Sequence, residues 1–229
     1  MQIANIKDLA LKGSRVLLRA DLNVPIKDGA VTDATRIKET LATLKFLLDS
    51  GASVVLCSHL GRPEGIGFEA AYSMAPVAAW LEDEEGLDCR LASSATGGEA
   101  ERMAAALKPG QVLLLENLRF DKGETKNTPE FCSSLARLAD TYVNDAFGSA
   151  HRAHASVAGV VPLFPKGRVA AGFLMEKEIA ALEKVIRNPE KPLMAVMGGA
   201  KASDKIDLIR NFIGKADAIL IGGAMSSPS

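Results

Sequence analysis

The sequence predicts an α/β protein built on a parallel sheet, and three patterns carry this prediction. Short apolar runs alternate along the chain with segments of helical periodicity, as parallel strands and their crossover helices require. The apolar runs are unbroken, which is typical of strands covered on both faces. The pattern restarts after the helix-breaking stretch NPEKP at 188–192, which indicates a second unit of the same class.

The elements of the first unit follow from these patterns in chain order. An apolar run at 16–20 predicts the first strand, and a helix follows at 33–50, where leucines recur at helical spacing before Gly51. Further strands are expected at 53–57, 89–92, 112–115 and 141–143, with further helices at 73–85 and 99–107 and one beginning at Thr128-Pro129.

Three segments organise the chain. Residues 1–170 are predicted to form a Rossmann-like, three-layer domain, and 171–190 a connecting segment that contains a strongly amphipathic helix. Residues 191–229 are predicted to hold only the first βα units of a second α/β domain, because two strands do not close a core. Its elements are expected at 193–197 for a strand, 203–216 for a helix and 218–221 for a second strand.

Composition excludes several classes of function. Apolar residues make up 48% and charged residues 24%, as in an ordinary globular protein with a sizeable core. The net charge of −1 disfavours a nucleic-acid binder, so any anion site has to be a local cluster. No apolar run approaches the ~18 residues of a membrane span or forms a signal peptide. Three separated cysteines favour buried thiols in a reducing compartment, so we expect a cytoplasmic protein.

Polar and cationic side chains collect directly after the predicted strands. In open parallel sheets, ligands bind beyond the carboxyl ends of the strands. The residues in these positions are Asp21 and Asn23, then His59 and Arg62, then Asn117 and Arg119, and finally Asn144, Asp145, His151, Arg152 and His154. Arginine forks bind carboxylate and phosphate bidentately, so the set indicates a pocket for a small, strongly anionic metabolite. Taken singly, each residue also fits a turn or a solvated surface.

Two of these positions raise a specific expectation about charge. His59 and Arg62 flank Gly61 where a buried strand ends, and we interpret them as two cationic or near-cationic groups directed at one ligand. Arg36 lies in the first turn of the predicted 33–50 helix, where the helix macrodipole disfavours a cation. Because its position offers no structural reason for an arginine, we assign Arg36 to the same basic pocket.

A glycine turn, MGGAKASDK at 197–205, forms a second candidate site. A strand meets glycines that open a helix, and a helix N-terminus offers free N–H groups to a phosphate. Lys201 and Lys205 are four residues apart, so both side chains can face one phosphate chain. The turn is not a Walker A motif, and no GxGxxG occurs, which disfavours a dinucleotide oxidoreductase. A structural turn with solvated lysines fits this short pattern equally well.

Six motifs together resemble the phosphoglycerate kinase family in order and spacing. They are RADLNVP at 19–25, HLGRP at 59–63, ENLRF at 116–120, NDAF at 144–147, HRAH at 151–154 and GGAK at 198–201. The resemblance covers residues 1 to about 225. It implies a two-lobed glycolytic enzyme that transfers a phosphoryl group between 1,3-bisphosphoglycerate and ADP, giving 3-phosphoglycerate and ATP.

The resemblance also implies roles for individual residues. The expected substrate-binding residues are Asp21, Asn23, Arg36, His59, Arg62, Arg119 and Arg152. The expected catalytic residues are Arg36 and Lys201, and the expected nucleotide-binding residues are Gly199, Ala200, Lys201 and Lys205.

The resemblance implies Mg²⁺ carried on the nucleotide, with no protein ligand for it in this chain. The expected partners are the small-molecule substrates alone, without nucleic acid or membrane, and the expected state is a monomer. The alternative is a lobe that only binds 3-phosphoglycerate, because the family's remaining nucleotide-lobe segments are not part of this sequence.

Overall fold

The computed structural model of the protein describes residues 4–187, 189–199 and 206–223. The chain divides into two units, Met1–Lys177 and Glu178–Ser229. The division falls inside the 171–190 segment that the sequence assigns to the connection.

The first unit is built on a fully parallel sheet of six strands, so the predicted α/β fold is confirmed. The strands are β1 (Arg15–Arg19), β4 (Ser53–Cys57), β5 (Cys89–Leu91), β6 (Val112–Leu114), β7 (Thr141–Asn144) and β8 (Val169–Ala171). Their order across the sheet is β5-β6-β4-β1-β7-β8, and every neighbouring pair is parallel. A short antiparallel hairpin, β2 (Ile26–Lys27) and β3 (Ala30–Val31), lies outside this sheet.

Helices accompany this sheet, and two apolar cores are built on the alternating side chains of its strands. The helices within the first unit are α1 (Thr35–Asp49), α2 (Ala75–Asp83), α3 (Gly98–Ala105), α4 (Lys122–Lys126) and α5 (Pro129–Ala136). A further helix, α6 (Phe173–Arg187), begins in the first unit and ends in the second. Along β1, Val16 and Leu18 belong to the core that contains Leu44 of α1, whereas Leu17 belongs to the core that contains Leu135 of α5. Successive strand residues point to opposite faces, which explains the unbroken apolar runs in the sequence.

The strand register brings the candidate site residues to one edge of the sheet. Arg19 at the end of β1 pairs with Cys57 at the end of β4 on one side and with Asn144 at the end of β7 on the other. Leu56 of β4 pairs with Leu114 at the end of β6. Because these strands are parallel, the segments that follow them leave the sheet at the same edge.

Several elements were not indicated by the sequence patterns. They are β8, the β2–β3 hairpin, α4, and a π-helical turn at Ala155–Gly159. Each of these strands, helices and turns has five residues or fewer, which is too short for a helical or alternating period to emerge.

The start of α6 is fixed to the edge of the sheet by buried polar groups. The Phe173 amide donates to the Thr43 hydroxyl at 2.9 Å, and the Met175 amide donates to Asp145 Oδ1 at 3.1 Å. Burial raises the pKa of Asp145 above its ordinary value, and the hydrogen bonds it accepts partly oppose this. Asp145 thus satisfies free amides in the first turn of α6.

The second unit contains a parallel pair of strands, as the restarted pattern predicts. They are β9 (Met194–Gly198) and β10 (Ala218–Gly222), with α7 (Ile206–Phe212) between them in sequence. In β9, Ala195 and Met197 are buried, whereas Val196 is 76% exposed. The alternation shows that one face of this strand is covered and the other is open. None of the helices in the described ranges is long and apolar enough to cross a membrane.

Candidate anion-binding site

A cationic pocket of about 480 Å³ lies at the carboxyl edge of the first unit's sheet. Its lining residues are Arg62, Pro63, Arg119, Thr125, Arg152 and His154. The three arginines come from the segments after three different strands, and all three were predicted as substrate-binding residues. The structure therefore brings together residues that lie up to about 90 positions apart in the sequence.

Arg119 is held in the pocket by the neighbouring loop. Its Nη1 donates to the Gly61 carbonyl at 2.8 Å, while its buried Nε has no hydrogen-bond partner among the described residues. Burial, and then the nearby charges of Arg152 and Arg19, lower the pKa of Arg119 below its ordinary value. The cations lie close to one another here, so a bound anion would offset the repulsion among them.

Two asparagines hold the loops that form the pocket in place through hydrogen bonds. Asn117 is fully buried, and its Nδ2 donates to the carbonyls of Leu60 at 2.7 Å and Tyr72 at 2.9 Å. Asn23 Oδ1 accepts the Gly61 amide at 2.8 Å. Asn23 therefore contributes to the loop that carries Arg62, although it does not line the pocket itself.

Gly61 lies at a position in that loop that has no room for a side chain. Its φ is +61°, and a Cβ there would lie 2.4 Å from the Tyr72 ring. We expect Gly61→Ala to destabilise the protein by about 3 kcal/mol, because left-handed strain adds to displacement of the ring. Urea unfolding followed by circular dichroism measures the loss. The control is Gly13→Ala, where φ is +71° and nothing lies within 4 Å, so only about 1 kcal/mol should be lost. Equal losses in the two variants would contradict the proposed role of Tyr72.

His59 is buried beside the pocket and is neutral. Its Nδ1 lies 3.1 Å from Nη2 of Arg19. Burial, followed by the charges of Arg19 and Arg119, lowers the pKa of His59 to about 2. Of the two groups expected to be cationic or near-cationic, Arg62 and His59, the lowered pKa makes His59 the uncharged one at neutral pH. A strand-end histidine looks cationic in sequence, but its ionisation is set by burial and by arginines from other segments.

This depressed pKa predicts how stability changes with pH. Below about pH 6.5 the unfolded chain binds a proton at His59 and the folded chain does not, so unfolding takes up protons. Stability should therefore rise from about pH 5 to pH 6.5, by at most about 1.4 kcal/mol per pH unit for this group. The lowered pKa of His154 acts in the same direction. Urea unfolding at several pH values measures the slope, which should fall in His59→Gln; an unchanged slope would contradict the assignment.

Arg36 and Asp21 form an ion pair outside the lining of the pocket. Arg36 Nη1 lies 2.7 Å from Asp21 Oδ2. A Cβ on Gly148 would lie 2.9 Å from the same oxygen, so the carboxylate is packed closely against the loop after β7. The expectation that Arg36 has no structural reason for its position is wrong, because Asp21 is its partner.

A buried carboxylate lies near the cations, and the sequence did not reveal it. Glu124 is fully buried and accepts the Ser156 hydroxyl at 2.7 Å and the Ser156 amide at 3.0 Å. His154 Nδ1 lies 3.8 Å from its Oε1. In the sequence, Glu124 belongs to the polar stretch DKGETKN, which reads as an exposed turn. Its charged neighbours Asp121, Lys122 and Lys126 are exposed, so the sequence pattern does not indicate that Glu124 is buried.

The candidate nucleotide site belongs to the second unit and is only partly described. Gly199 is exposed directly after β9, and a Cβ on Gly223 would lie 3.6 Å from the Gly199 carbonyl oxygen. Ala200, Lys201 and Lys205 lie outside the described residues. Within the described ranges, no group of three or more His, Cys, Asp or Glu side chains is placed to hold a metal ion. The described residues therefore do not fit a metal site of their own.

The fold and the site define a class: an α/β protein with an arginine-lined anion pocket at the carboxyl edge of a parallel sheet. The family profile described as "Phosphoglycerate kinase" matches residues 6–228, nearly the whole chain. The chain belongs to the phosphoglycerate kinase family.

Individual relatives agree with this assignment. A protein named phosphoglycerate kinase from Fervidobacterium nodosum is 52% identical over 225 residues, which is 98% of this chain and 55% of the relative. One of the same name from Thermus thermophilus is 54% identical over 220 residues, covering 96% of this chain and 55% of the relative. The solved structure of phosphoglycerate kinase from Coxiella burnetii has a TM-score of 0.83 at 40% identity, covering 97% of this chain and 55% of that one. The chain thus spans about half the length of the relatives it matches.

Proposed function

We propose that this protein is a phosphoglycerate kinase and that its first unit binds 3-phosphoglycerate and 1,3-bisphosphoglycerate. The observation that carries the proposal is the convergence of Arg62, Arg119 and Arg152 on one pocket with His154. Family membership supports the choice of substrate among small anionic metabolites, and the three guanidinium forks supply the charge-assisted donors that a phosphate or carboxylate needs.

Phosphoryl transfer requires little covalent chemistry from the protein. Phosphoryl transfer depends mainly on positioning the two substrates and stabilising charge on the transferred group. In the proposal, Arg62, Arg119 and Arg152 bind the acid phosphate, while Asn23 holds the loop through Gly61. His59 contributes a neutral side chain, and Arg36, paired with Asp21, is a candidate for the transferred phosphoryl group.

The nucleotide half of the proposal rests on the glycine turn. Gly199, Ala200, Lys201 and Lys205 are proposed to face the phosphates of ADP or ATP, with Lys201 as the second catalytic candidate. Mg²⁺ would arrive on the nucleotide phosphates and would supply charge neutralisation there.

The remaining parts of the proposal concern context. We propose a monomeric cytoplasmic protein whose partners are these small molecules, without nucleic acid or membrane. The net charge of −1 and the scattered, buried cysteines Cys57, Cys89 and Cys132 support it.

A turnover assay tests the activity. The chain is incubated with ATP, Mg²⁺ and 3-phosphoglycerate, and hydroxylamine traps the acyl phosphate product as a hydroxamate. Hydroxamate formation that requires both substrates would support the kinase. Saturable binding of 3-phosphoglycerate without turnover would support the alternative, a lobe that only binds this ligand. If a folded chain showed no turnover and no binding of 3-phosphoglycerate, the proposal would be contradicted.

Arg36 offers a focused variant. We expect Arg36→Ala to weaken binding of 3-phosphoglycerate by about tenfold, because a cation is lost and the carboxylate of Asp21 becomes unpaired at the same edge of the sheet. Calorimetric titration measures the affinity. Lys38→Ala is the matched control, since it removes the same charge from an exposed position on the same helix. An affinity unchanged in Arg36→Ala would remove Arg36 from the site.

A further inference from the structure

Arg19 is a cation buried without a direct carboxylate partner in the described part of the chain. It lies at the end of β1 and is 0% exposed. Its Nε donates to the Ser156 hydroxyl at 2.9 Å, its Nη1 donates to the Ala20 carbonyl, and its Nη2 lies 3.1 Å from His59 Nδ1. Neither Arg19 nor His59 lines the arginine pocket, but His59 keeps 8% of its surface exposed whereas Arg19 keeps none, so direct binding of a ligand does not explain the burial of Arg19.

The Arg19–His59 contact fixes where the imidazole proton resides. A guanidinium carries donors and no acceptor, so a hydrogen bond between Nη2 and Nδ1 requires a lone pair on Nδ1. The imidazole is then neutral, with its proton on Nε2. A proton on Nδ1 would place two N–H groups against each other at 3.1 Å.

The charged groups around His59 also favour the neutral imidazole. Besides Arg19, the charged or titratable groups that act on it are Arg119 and Arg152 from the pocket and His154. The arginines are cations, so they disfavour a second proton on the ring. In the described chain, the buried carboxylate of Glu124 reaches Arg19 only through Ser156.

The hydrogen bonds behind Arg19 have one consistent direction. Glu124 Oε1 accepts the Ser156 hydroxyl proton at 2.7 Å, which leaves the lone pairs of that hydroxyl for Arg19 Nε. The Ser156 carbonyl in turn accepts the Tyr142 hydroxyl at 2.7 Å. These hydrogen bonds therefore fix the orientation of the Arg19 guanidinium, and the guanidinium in turn fixes the imidazole ring of His59.

We propose that Arg19 is a positioning residue that holds His59 as the neutral Nε2–H tautomer, so that His59 offers one uncharged hydrogen-bond donor to an oxygen of the anionic ligand. The identity of that ligand, a three-carbon acid phosphate, rests on the proposed function. The tautomer itself does not, because it is a property of the ligand-free protein. An uncharged donor beside three arginines favours a hydroxyl or carboxylate oxygen without adding to the repulsion among the cations.

Long-range ¹H–¹⁵N correlation spectra test the tautomer, because the two ring nitrogens shift in opposite ways when one carries the proton. The chain has three histidines, and the signals are assigned with His151→Gln and His154→Gln. We expect His59 in the ligand-free protein to show protonated Nε2 and bare Nδ1, without change between about pH 5 and pH 8. A protonated Nδ1 or a charged ring would overturn the proposal.

Two variants test the role of Arg19. In Arg19→Met the donor is lost, and we expect His59 to become a mixture of tautomers and the affinity for 3-phosphoglycerate to fall about tenfold. Ser156→Ala removes only the hydroxyl that accepts the hydrogen bond from Arg19 Nε. It is the milder change and is used if Arg19→Met does not fold. We expect a smaller share of the Nδ1–H tautomer in Ser156→Ala than in Arg19→Met, because the guanidinium then loses one of the hydrogen bonds that orient it. A pure Nε2–H tautomer in folded Arg19→Met would overturn the positioning role, and so would a pure Nε2–H tautomer in Ser156→Ala if Arg19→Met does not fold.

A titration with ligand distinguishes a failure of this inference from a failure of the proposed function. 3-Phosphoglycerate is titrated into the wild-type protein while the His59 signals are followed. Binding that shifts the Nε2 signal supports the donor role, and binding that leaves it unshifted overturns that role. Absence of binding contradicts the proposed function and the donor role together, while the tautomer measured without ligand still decides the Arg19–His59 relation.

Discussion

Replacing Arg119 by alanine is expected to lower the affinity for 3-phosphoglycerate by about 100-fold. The arginine offers a buried Nε without a described partner, and charge-assisted hydrogen bonds of this kind contribute about 1.5–3 kcal/mol. Arg119→Lys should lose about tenfold, because an ammonium keeps the charge but not the planar fork. Calorimetric titration measures both variants, and circular dichroism confirms that they are folded.

Arg137 provides the matched control for this experiment. It is an exposed arginine at the end of α5, where it pairs with Glu101 at 3.0 Å and does not line the pocket. Arg137→Ala removes the same formal charge, so it should leave the affinity within about twofold. A similar loss in Arg137→Ala and Arg119→Ala would mean that overall charge, rather than the pocket, governs binding.

Replacing Glu124 by glutamine is expected to lower the free energy of unfolding by about 4 kcal/mol. The carboxylate is fully buried, lies 3.8 Å from His154 Nδ1, acts on the charge of Arg119 and is linked to Arg19 through Ser156. Removing one member of a buried charge network leaves the others uncompensated. The amide also places an N–H group where the Ser156 amide and hydroxyl now donate. Urea unfolding followed by circular dichroism measures the loss.

The control for Glu124 is the exposed ion pair of Glu101 and Arg137. Both side chains of that pair are solvated, so Glu101→Gln should cost less than about 1 kcal/mol. If Glu124→Gln were as mild as Glu101→Gln, the buried carboxylate would not be the counter-charge of the cluster.

The sheet and the three pocket arginines could be predicted because they follow from local patterns. β4, β6 and β7 are short, mainly apolar strands, and a parallel sheet sends the segments after them to one edge. Arg62, Arg119 and Arg152 occupy those segments. Their common edge then follows from the parallel arrangement alone, before the order of the strands is known.

The support behind the pocket could not be predicted, because it consists of contacts between distant segments. Arg19 meets Ser156 across 137 positions of sequence, and Ser156 meets Glu124 across 32. Glu124 lies on a helix of five residues, too short to show which face is buried. The neutral state of His59 likewise depends on Arg19 and on burial, neither of which a strand-end motif reveals.

The central claim is that the first unit holds an assembled site for a small acid phosphate. Calorimetric titration of 3-phosphoglycerate into the folded protein tests it most directly, with glycerate as a comparison that lacks the phosphate. We predict saturable binding of 3-phosphoglycerate and at least about 100-fold weaker binding of glycerate, because the arginine forks are satisfied chiefly by phosphate oxygens. Equal affinities for the two compounds, or no binding of 3-phosphoglycerate by a folded chain, would contradict the claim.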